Sequence, residues 1–133
     1  MRIALDAMGT DHAPSAEVAG AIGALQELEP DIEVVLVGDQ AVIEAELARH
    51  SGHAGGRLHV HHAPDRVKAS DAPASVIRRK PESSIVVGLK LVKSGEADAF
   101  VSAGSTGAVM ATSLFTLRPL PGVARPAIGT MLP

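Results

Sequence analysis

The loop from Asp6 to Pro14 gathers residue types that could move protons. It holds the carboxylates of Asp6 and Asp11, the imidazole of His12 and a flexible Gly9 in one short segment. Carboxylates and imidazoles are the usual proton donors and acceptors, and glycine lets the backbone come close to a ligand. We predict Asp6, Asp11 and His12 as catalytic residues and Gly9 as a binding residue. The same spacing also suits a capped turn that faces water.

A second loop, rich in glycine and hydroxyl groups, leads directly into an apolar stretch. Glycines expose backbone N–H groups, the start of a helix points its unpaired N–H groups outward, and Ser and Thr add donors. The loop is neither a Walker loop nor a dinucleotide fingerprint, because the required spacings are missing. Inorganic phosphate is therefore its expected ligand, although glycine also serves tight packing. The predicted phosphate-binding residues are Gly104, Ser105, Thr106 and Gly107.

The run Arg78-Arg79-Lys80 is the one concentrated positive charge in the sequence. Arginine holds phosphate through paired hydrogen bonds and also attracts acidic proteins. We predict all three residues as substrate-binding. A short basic run beside Pro81 and Glu82 is equally typical of a solvated surface.

Other chemistries find little support in this sequence. With no Cys there is no disulfide, no thiolate nucleophile and no cysteine-based zinc site. His59 and His61 share one face of a predicted strand, but no carboxylate motif completes a metal site. No Ser lies in a Gly-x-Ser-x-Gly turn. We expect no metal, no cofactor and no nucleophilic triad.

Composition and charge narrow the class of protein further. The chain has 133 residues, 46% of them hydrophobic, with two Phe and no Trp or Tyr, so Ala, Val, Leu and Ile must build the core. The net charge of -3 gives no overall positive field for nucleic acid or an anionic membrane. Asp6 interrupts the first apolar run, unlike a secretion signal. We expect a cytoplasmic protein.

Strand and helix patterns alternate along the chain, and the apolar runs of the strands are continuous, which is typical of parallel strands covered on both faces. The sequence therefore predicts an α/β fold with a doubly wound, mostly parallel sheet and helices on both faces. The expected strands are 2–7, 32–37, 57–62 and 97–102, with a loop at 51–56. The expected helices begin at Ser15, Asp39, Ser70, Ser83 or Ser84, and the glycine loop. The second of these should end near His50, the fourth at Gly95 and the last near Leu117.

Two stretches near the end of the chain need a separate interpretation. Residues 99–117 carry no charge and are almost long enough to span a bilayer, but turn formers at their centre favour a strand, a glycine loop and a buried helix. Residues 127–132 resemble the start of another strand. A parallel strand without a return helix leaves a sheet face uncovered. We expect a truncated chain or one completed by a partner.

Four ordered segments resemble the PlsX-type phosphate acyltransferases, and their order and spacing match along essentially the whole chain. Two positions depart from the family pattern: Thr10 stands where a second Gly is usual, and Ser105 where Asn is usual. The segments are Ile3 to Pro14, Arg78 to Lys80 with Ser83 and Ser84, Ala97 to Ala108, and Gly122 to Ala127.

This resemblance implies transfer of a fatty acyl group from acyl carrier protein to inorganic phosphate, giving acyl phosphate for phospholipid synthesis. It further implies a fold similar to isocitrate and isopropylmalate dehydrogenases, a homodimer, and a full-length chain more than twice as long. The absent part would supply acyl-binding surface, dimer contacts and peripheral membrane contact. The alternatives are a phosphate acetyltransferase that uses short-chain acyl-CoA, and a non-catalytic fragment or scaffold.

Overall fold

The protein consists of four short strands with helices between them. The structure, a computed structural model, describes residues 1–50, 56–68, 70–124 and 126–129. The strands are β1 (Arg2–Asp6), β2 (Glu33–Gly38), β3 (Leu58–His62) and β4 (Ala99–Val101). The helices are α1 (Ser15–Glu27), α2 (Gln40–Leu47), α3 (Val76–Arg79), α4 (Ser84–Ser94) and α5 (Thr106–Thr116), and a 3-10 turn at Pro73–Ser75 precedes α3.

The strands form one parallel sheet in the order β3-β2-β1-β4. In the central strand, Ile3 is paired with Val34 of β2 on one side and with Ala99 of β4 on the other. The chain thus winds outward from β1 in one direction and returns to add β4 on the opposite side. The carboxyl ends of β1 and β4 therefore meet at a topological switch point, where ligands of open α/β sheets bind.

Both faces of the sheet are covered, which confirms the predicted doubly wound α/β architecture. On one face, Leu25 of α1 and Ile43 of α2 pack with Leu36 of β2. On the other, Leu91 of α4 packs with Val35 and Ala4. The apolar run of β2 is uninterrupted because its successive side chains point to opposite faces of the sheet, and helices cover both faces.

Two helix ends agree with their sequence signals. The side chain of Asp39 accepts hydrogen bonds from the N–H groups of Ala41 at 3.0 Å and Val42 at 3.4 Å, so it caps α2. Gly95 ends α4 in the left-handed region with φ of 78°. Both predictions are confirmed, although α2 ends at Leu47 rather than near His50.

The predicted start of α1 at Ser15 is confirmed, although Ser15 does not cap that helix, whereas the start predicted at Ser70 is wrong. Pro14 occupies the cap position of α1 and Ser15 is already helical, with no side-chain cap bond. The helix expected from Ser70 begins only at Pro73, because Ala72 before it is extended, with ψ of 119°. The residue preceding proline avoids the helical region, which delays the helix start.

The last helix, α5, is less buried than the sequence predicted. Ala108, Thr112 and Thr116 face the interior, whereas Phe115 is 60% exposed. Residues 127–129 have no regular structure, and the rest of the predicted final strand and most of the 51–56 loop lie outside the described residues. Within the described ranges, no helix has both the length and the apolar character needed to cross a membrane.

Candidate functional site

One polar pocket opens at the carboxyl edge of the sheet, where β1 and β4 meet. It has a volume of about 790 Å³ and is lined by residues 9–12 of the first loop, 66–68 after β3, and 103–105 of the glycine loop. We call 66–68 the cationic segment, because it contains Arg66 and Lys68. Three loops that are distant in sequence thus meet at the switch point of the sheet.

Asp6 lies beneath this pocket and ties two of the loops together. Asp6 is buried, with 1% of the residue exposed. One carboxyl oxygen accepts the N–H of Met8 at 3.0 Å, and the other accepts the hydroxyl of Ser102 at 2.6 Å. The oxygen of Ser102 in turn accepts the N–H of Gly104 at 3.1 Å. A buried carboxylate is stable only when its oxygens are paired in this way.

The two facing glycines, Gly9 and Gly104, have no room for a side chain. A Cβ atom on Gly9 would lie 2.9 Å from the amide nitrogen of Gly104 and 2.9 Å from a carboxyl oxygen of Asp6. A Cβ on Gly104 would lie 3.2 Å from the Cα of Gly9. Glycine is therefore required for close approach of the two loops, which in turn brings both backbones to the floor of the pocket.

The peptide groups of Thr10 are held from both sides. Its N–H donates to Glu17 at 3.0 Å, and its carbonyl accepts from the guanidinium of Arg66. Its hydroxyl accepts the N–H of His12 at 3.2 Å. Glu17 occupies the third helical position, from which a carboxylate normally reaches back to the cap N–H. Pro14 has no N–H, so Glu17 reaches the first loop instead.

An ion pair between Asp71 and Lys80 holds the cationic segment in place. A carboxyl oxygen of Asp71 accepts the ammonium of Lys80 at 2.6 Å and the backbone N–H of Lys68 at 2.6 Å. The same ammonium donates to the carbonyl of Arg66 at 2.7 Å. The hydrogen bond from Lys80, followed by that from the Lys68 amide, holds the pKa of Asp71 below its ordinary value. The pair thus fixes both ends of the segment.

The start of α5 adds partial positive charge beside the pocket. The hydroxyl oxygen of Ser105 accepts the N–H of Ala108 at 3.3 Å and so caps the helix. The N–H groups of Thr106 and Gly107 have no intrahelical acceptor, because they belong to the first turn. Together with Arg66 and Lys68, this helix start favours an anion that offers several oxygen acceptors.

The structure brings together five of the predicted site residues and places the others elsewhere. Asp6 and Lys80 lie behind the pocket wall, each tying loops together. Gly107 faces Pro73, whose Cγ would lie 3.0 Å from an added Cβ. Thr106 borders a separate apolar groove beside α5, and Arg78 and Arg79 are exposed on α3. Those that line the pocket are Gly9, Asp11, His12, Gly104 and Ser105.

Sequence reasoning missed Thr10, Arg66 and Lys68 as pocket residues, and Glu17 as the support beneath them. A usable signal existed for the two cations. They follow the third predicted strand, and in a parallel sheet the loops after all strands lie along the same edge.

The histidines of β3 have other partners in this structure. The Nε2 atom of His59 lies 3.2 Å from a carboxyl oxygen of Glu33, and Nδ1 of His62 accepts the N–H of Gln40 at 3.2 Å. In the part of the chain that the structure describes, no three His, Asp or Glu side chains come together as a metal-binding group.

Comparison with known proteins gives one consistent result. The family model described as "Fatty acid synthesis protein" matches residues 1–133. A phosphate acyltransferase of Desulforamulus reducens is 54% identical over 133 residues, which is 100% of this chain and 39% of the relative. Phosphate acyltransferases of Herpetosiphon aurantiacus and Methylococcus capsulatus are 50% and 47% identical, over 100% and 98% of this chain and 35% and 38% of their own lengths.

The match to the Desulforamulus reducens relative covers the whole chain and therefore includes all three pocket loops. The chain spans a little over a third of the length of the curated relatives it matches. The resemblance of its ordered motifs is thereby confirmed. This chain belongs to the fatty acid synthesis protein family, alongside proteins named phosphate acyltransferase.

Proposed function

We propose that this chain is the phosphate-binding part of an enzyme that transfers a fatty acyl group from acyl carrier protein to inorganic phosphate. The observation that supports it most is the pocket at the switch point, where a glycine loop, a helix start and two cations surround one space. The names of the relatives support phosphate as acyl acceptor, and the family description supports a fatty acyl donor.

Phosphate suits this pocket because its oxygens match the donors that surround it. Gly9 and Gly104 both line the pocket, where the lack of a side chain at each lets the two loops meet, and the N–H of Gly104 donates to the hydroxyl of Ser102. Arg66 and Lys68 stand on the wall that the first loop and glycine loop leave open. The unpaired N–H groups at the start of α5 fix the position of the anion in this proposal, and the cations offset its charge.

The proposed reaction needs no covalent enzyme intermediate. A phosphate oxygen attacks the carbonyl carbon of the thioester, and the carbon–sulfur bond breaks. The products are acyl phosphate and the carrier thiol, which takes up the proton that phosphate gives up. Holding phosphate and thioester in reacting geometry supplies much of the rate, and donors aimed at the carbonyl oxygen stabilise the tetrahedral intermediate.

His12 is the side chain proposed to carry that proton. It lines the pocket next to Asp11 and is exposed, so an incoming thioester could reach it. An imidazole can both accept a proton from phosphate and donate it to the departing sulfur. Asp6, which the sequence placed in the same catalytic group, acts in this proposal by fastening the first loop to Ser102.

The exposed pair Arg78 and Arg79 is proposed to meet the acidic carrier protein. Neither forms an ion pair with any residue that the structure describes. Both lie on α3, whose next residue, Lys80, contacts the cationic segment. A carrier docked on this pair would therefore present its thioester near the pocket, and long-range attraction would speed its arrival.

A chimeric enzyme tests the proposed function. The matched region of the Desulforamulus reducens relative is replaced by this chain, with the unmodified relative as control. We expect acyl carrier thioester to be consumed only when phosphate is present, with a hydroxylamine-reactive product. Thioester loss at an equal rate without phosphate would indicate a hydrolase. A folded chimera with no transfer, or one that prefers short acyl-CoA, would also contradict the proposal.

A further inference from the structure

We propose that Arg66 and Lys68 supply the positive charge that binds the anion, and that the Asp71–Lys80 pair is a positioning device that holds them at the pocket. This inference rests on the proposed function and assigns its phosphate-binding cations. It gives separate roles to three groups of cations: the cationic segment meets phosphate, Lys80 braces it, and the Arg78–Arg79 pair lies outside the pocket lining.

The cationic segment is fastened at both ends. On its amino-terminal side, Asp65 forms a parallel bridge with Ser83 at the start of α4: its N–H donates to the carbonyl of Glu82 at 3.3 Å, and its carbonyl accepts the N–H of Ser84 at 3.2 Å. On its carboxyl-terminal side, Asp71 accepts the N–H of Lys68 and the ammonium of Lys80. A loop held this way keeps its backbone in place at the pocket, so that phosphate binding does not have to order it.

Arg66 has donors to spare after it has secured the first loop. One arm of its guanidinium binds the carbonyl of Thr10, and the side chain as a whole lines the pocket. A guanidinium carries five N–H groups, so the fork still offers several to an anion. The same contact places this cation within one residue of Gly9, which also lines the pocket.

Lys68 and Lys80 differ in what their ammonium groups do. Lys80 is 23% exposed, and its ammonium already contacts Asp71 and the carbonyl of Arg66. Lys68 is exposed, lines the pocket, and forms no ion pair within the described residues. Its backbone is held while its charge remains available. Lys68 is therefore the cation that can approach phosphate from solvent, and Lys80 is not.

Phosphate titration calorimetry on this chain separates these roles. We expect Lys68→Met to weaken phosphate binding by about 10-fold or more, because a charge-assisted contact is lost. Lys93→Met is the matched control, since it removes the same charge from an exposed site on α4 outside the pocket. It should change the dissociation constant by less than about twofold. Lys68→Arg should restore most of the affinity.

The bracing pair is tested by a double-variant cycle. Asp71→Asn and Lys80→Met should each weaken phosphate binding several-fold, and together by less than the product of the two, because they break one shared contact. In addition, phosphate binding by the wild type should weaken as pH falls through the lowered pKa of Asp71, and by more than binding by Asp71→Asn weakens over the same range, since protonation of phosphate affects both proteins equally. A purely structural role would lower the melting temperature without this pH-dependent split.

Several outcomes would overturn the inference. Lys68→Met that binds phosphate as tightly as Lys93→Met, or an Arg79→Met variant that alone loses binding, would contradict it while leaving the proposed function standing. Additive effects of Asp71→Asn and Lys80→Met would contradict the bracing role. Absence of phosphate binding by the wild-type chain would overturn both the inference and the proposed function. The variant results above would overturn the inference alone, so the two failures are distinguishable.

Discussion

Replacing Ser102 by alanine should destabilise the chain far more than an ordinary loop substitution. The Ser102 hydroxyl donates to the buried carboxylate of Asp6 at 2.6 Å and accepts the N–H of Gly104 at 3.1 Å. Losing a hydrogen bond to a charged group costs about 1.5–3 kcal/mol, and an ordinary one about 0.5–1.5 kcal/mol. Because Asp6 is left with an unpaired buried oxygen, we expect a loss of roughly 2–4 kcal/mol.

The comparison variant is Ser105→Ala, which removes only the cap of α5 and should cost about 1 kcal/mol. Urea unfolding followed by far-ultraviolet circular dichroism measures both, since the chain has no Trp or Tyr to report by fluorescence. Asp6→Asn combined with Ser102→Ala should be non-additive, because both act on one contact. A Ser102→Ala variant no less stable than Ser105→Ala would refute the buried junction.

Further predictions concern glycine, pH and the carrier. Gly9→Ala should lower the free energy of unfolding by about 1–3 kcal/mol, because the added methyl group crowds Gly104. Gly20→Ala, with open space around its Cβ, should be neutral or stabilising in the same urea-unfolding experiment. Because the pKa of Asp71 is held below 3.8, its stabilisation is present above that pH and lost as pH falls through the lowered value. Unfolding of wild type and Asp71→Asn should therefore converge in acid. Arg79→Ala should raise the KM for acyl carrier in the chimera and leave calorimetric phosphate binding unchanged.

The general architecture could be predicted because it depends on local patterns. Continuous apolar runs marked the parallel strands, Asp39 marked the start of α2, and Gly95 marked the end of α4. The two polar loops also followed predicted strands, so their meeting at one edge was foreseeable. Gly9 and Gly104 approach one another and line the pocket, and their role in binding stays a prediction.

The remaining features depend on contacts between residues far apart in sequence. Asp6 and Ser102 form one buried junction although 96 positions separate them. Arg66 reaches Thr10 across 56 positions. Periodicity and spacing do not predict which cation will contact which carbonyl, because strand order determines which loops become neighbours. The exposure of Phe115 on α5 is equally nonlocal, since it depends on which neighbours cover that helix.

Phosphate titration of this chain, followed by the amide signals in nuclear magnetic resonance, tests the central claim most directly. We expect saturable shifts of the amides of Gly9, Gly104 and Ser105, with smaller changes on α3 and at the opposite edge of the sheet. Sulfate at equal ionic strength should compete, and chloride should not. Saturable shifts centred on Arg78 and Arg79, or no saturable shift in the three pocket loops, would contradict the assignment of this pocket to phosphate.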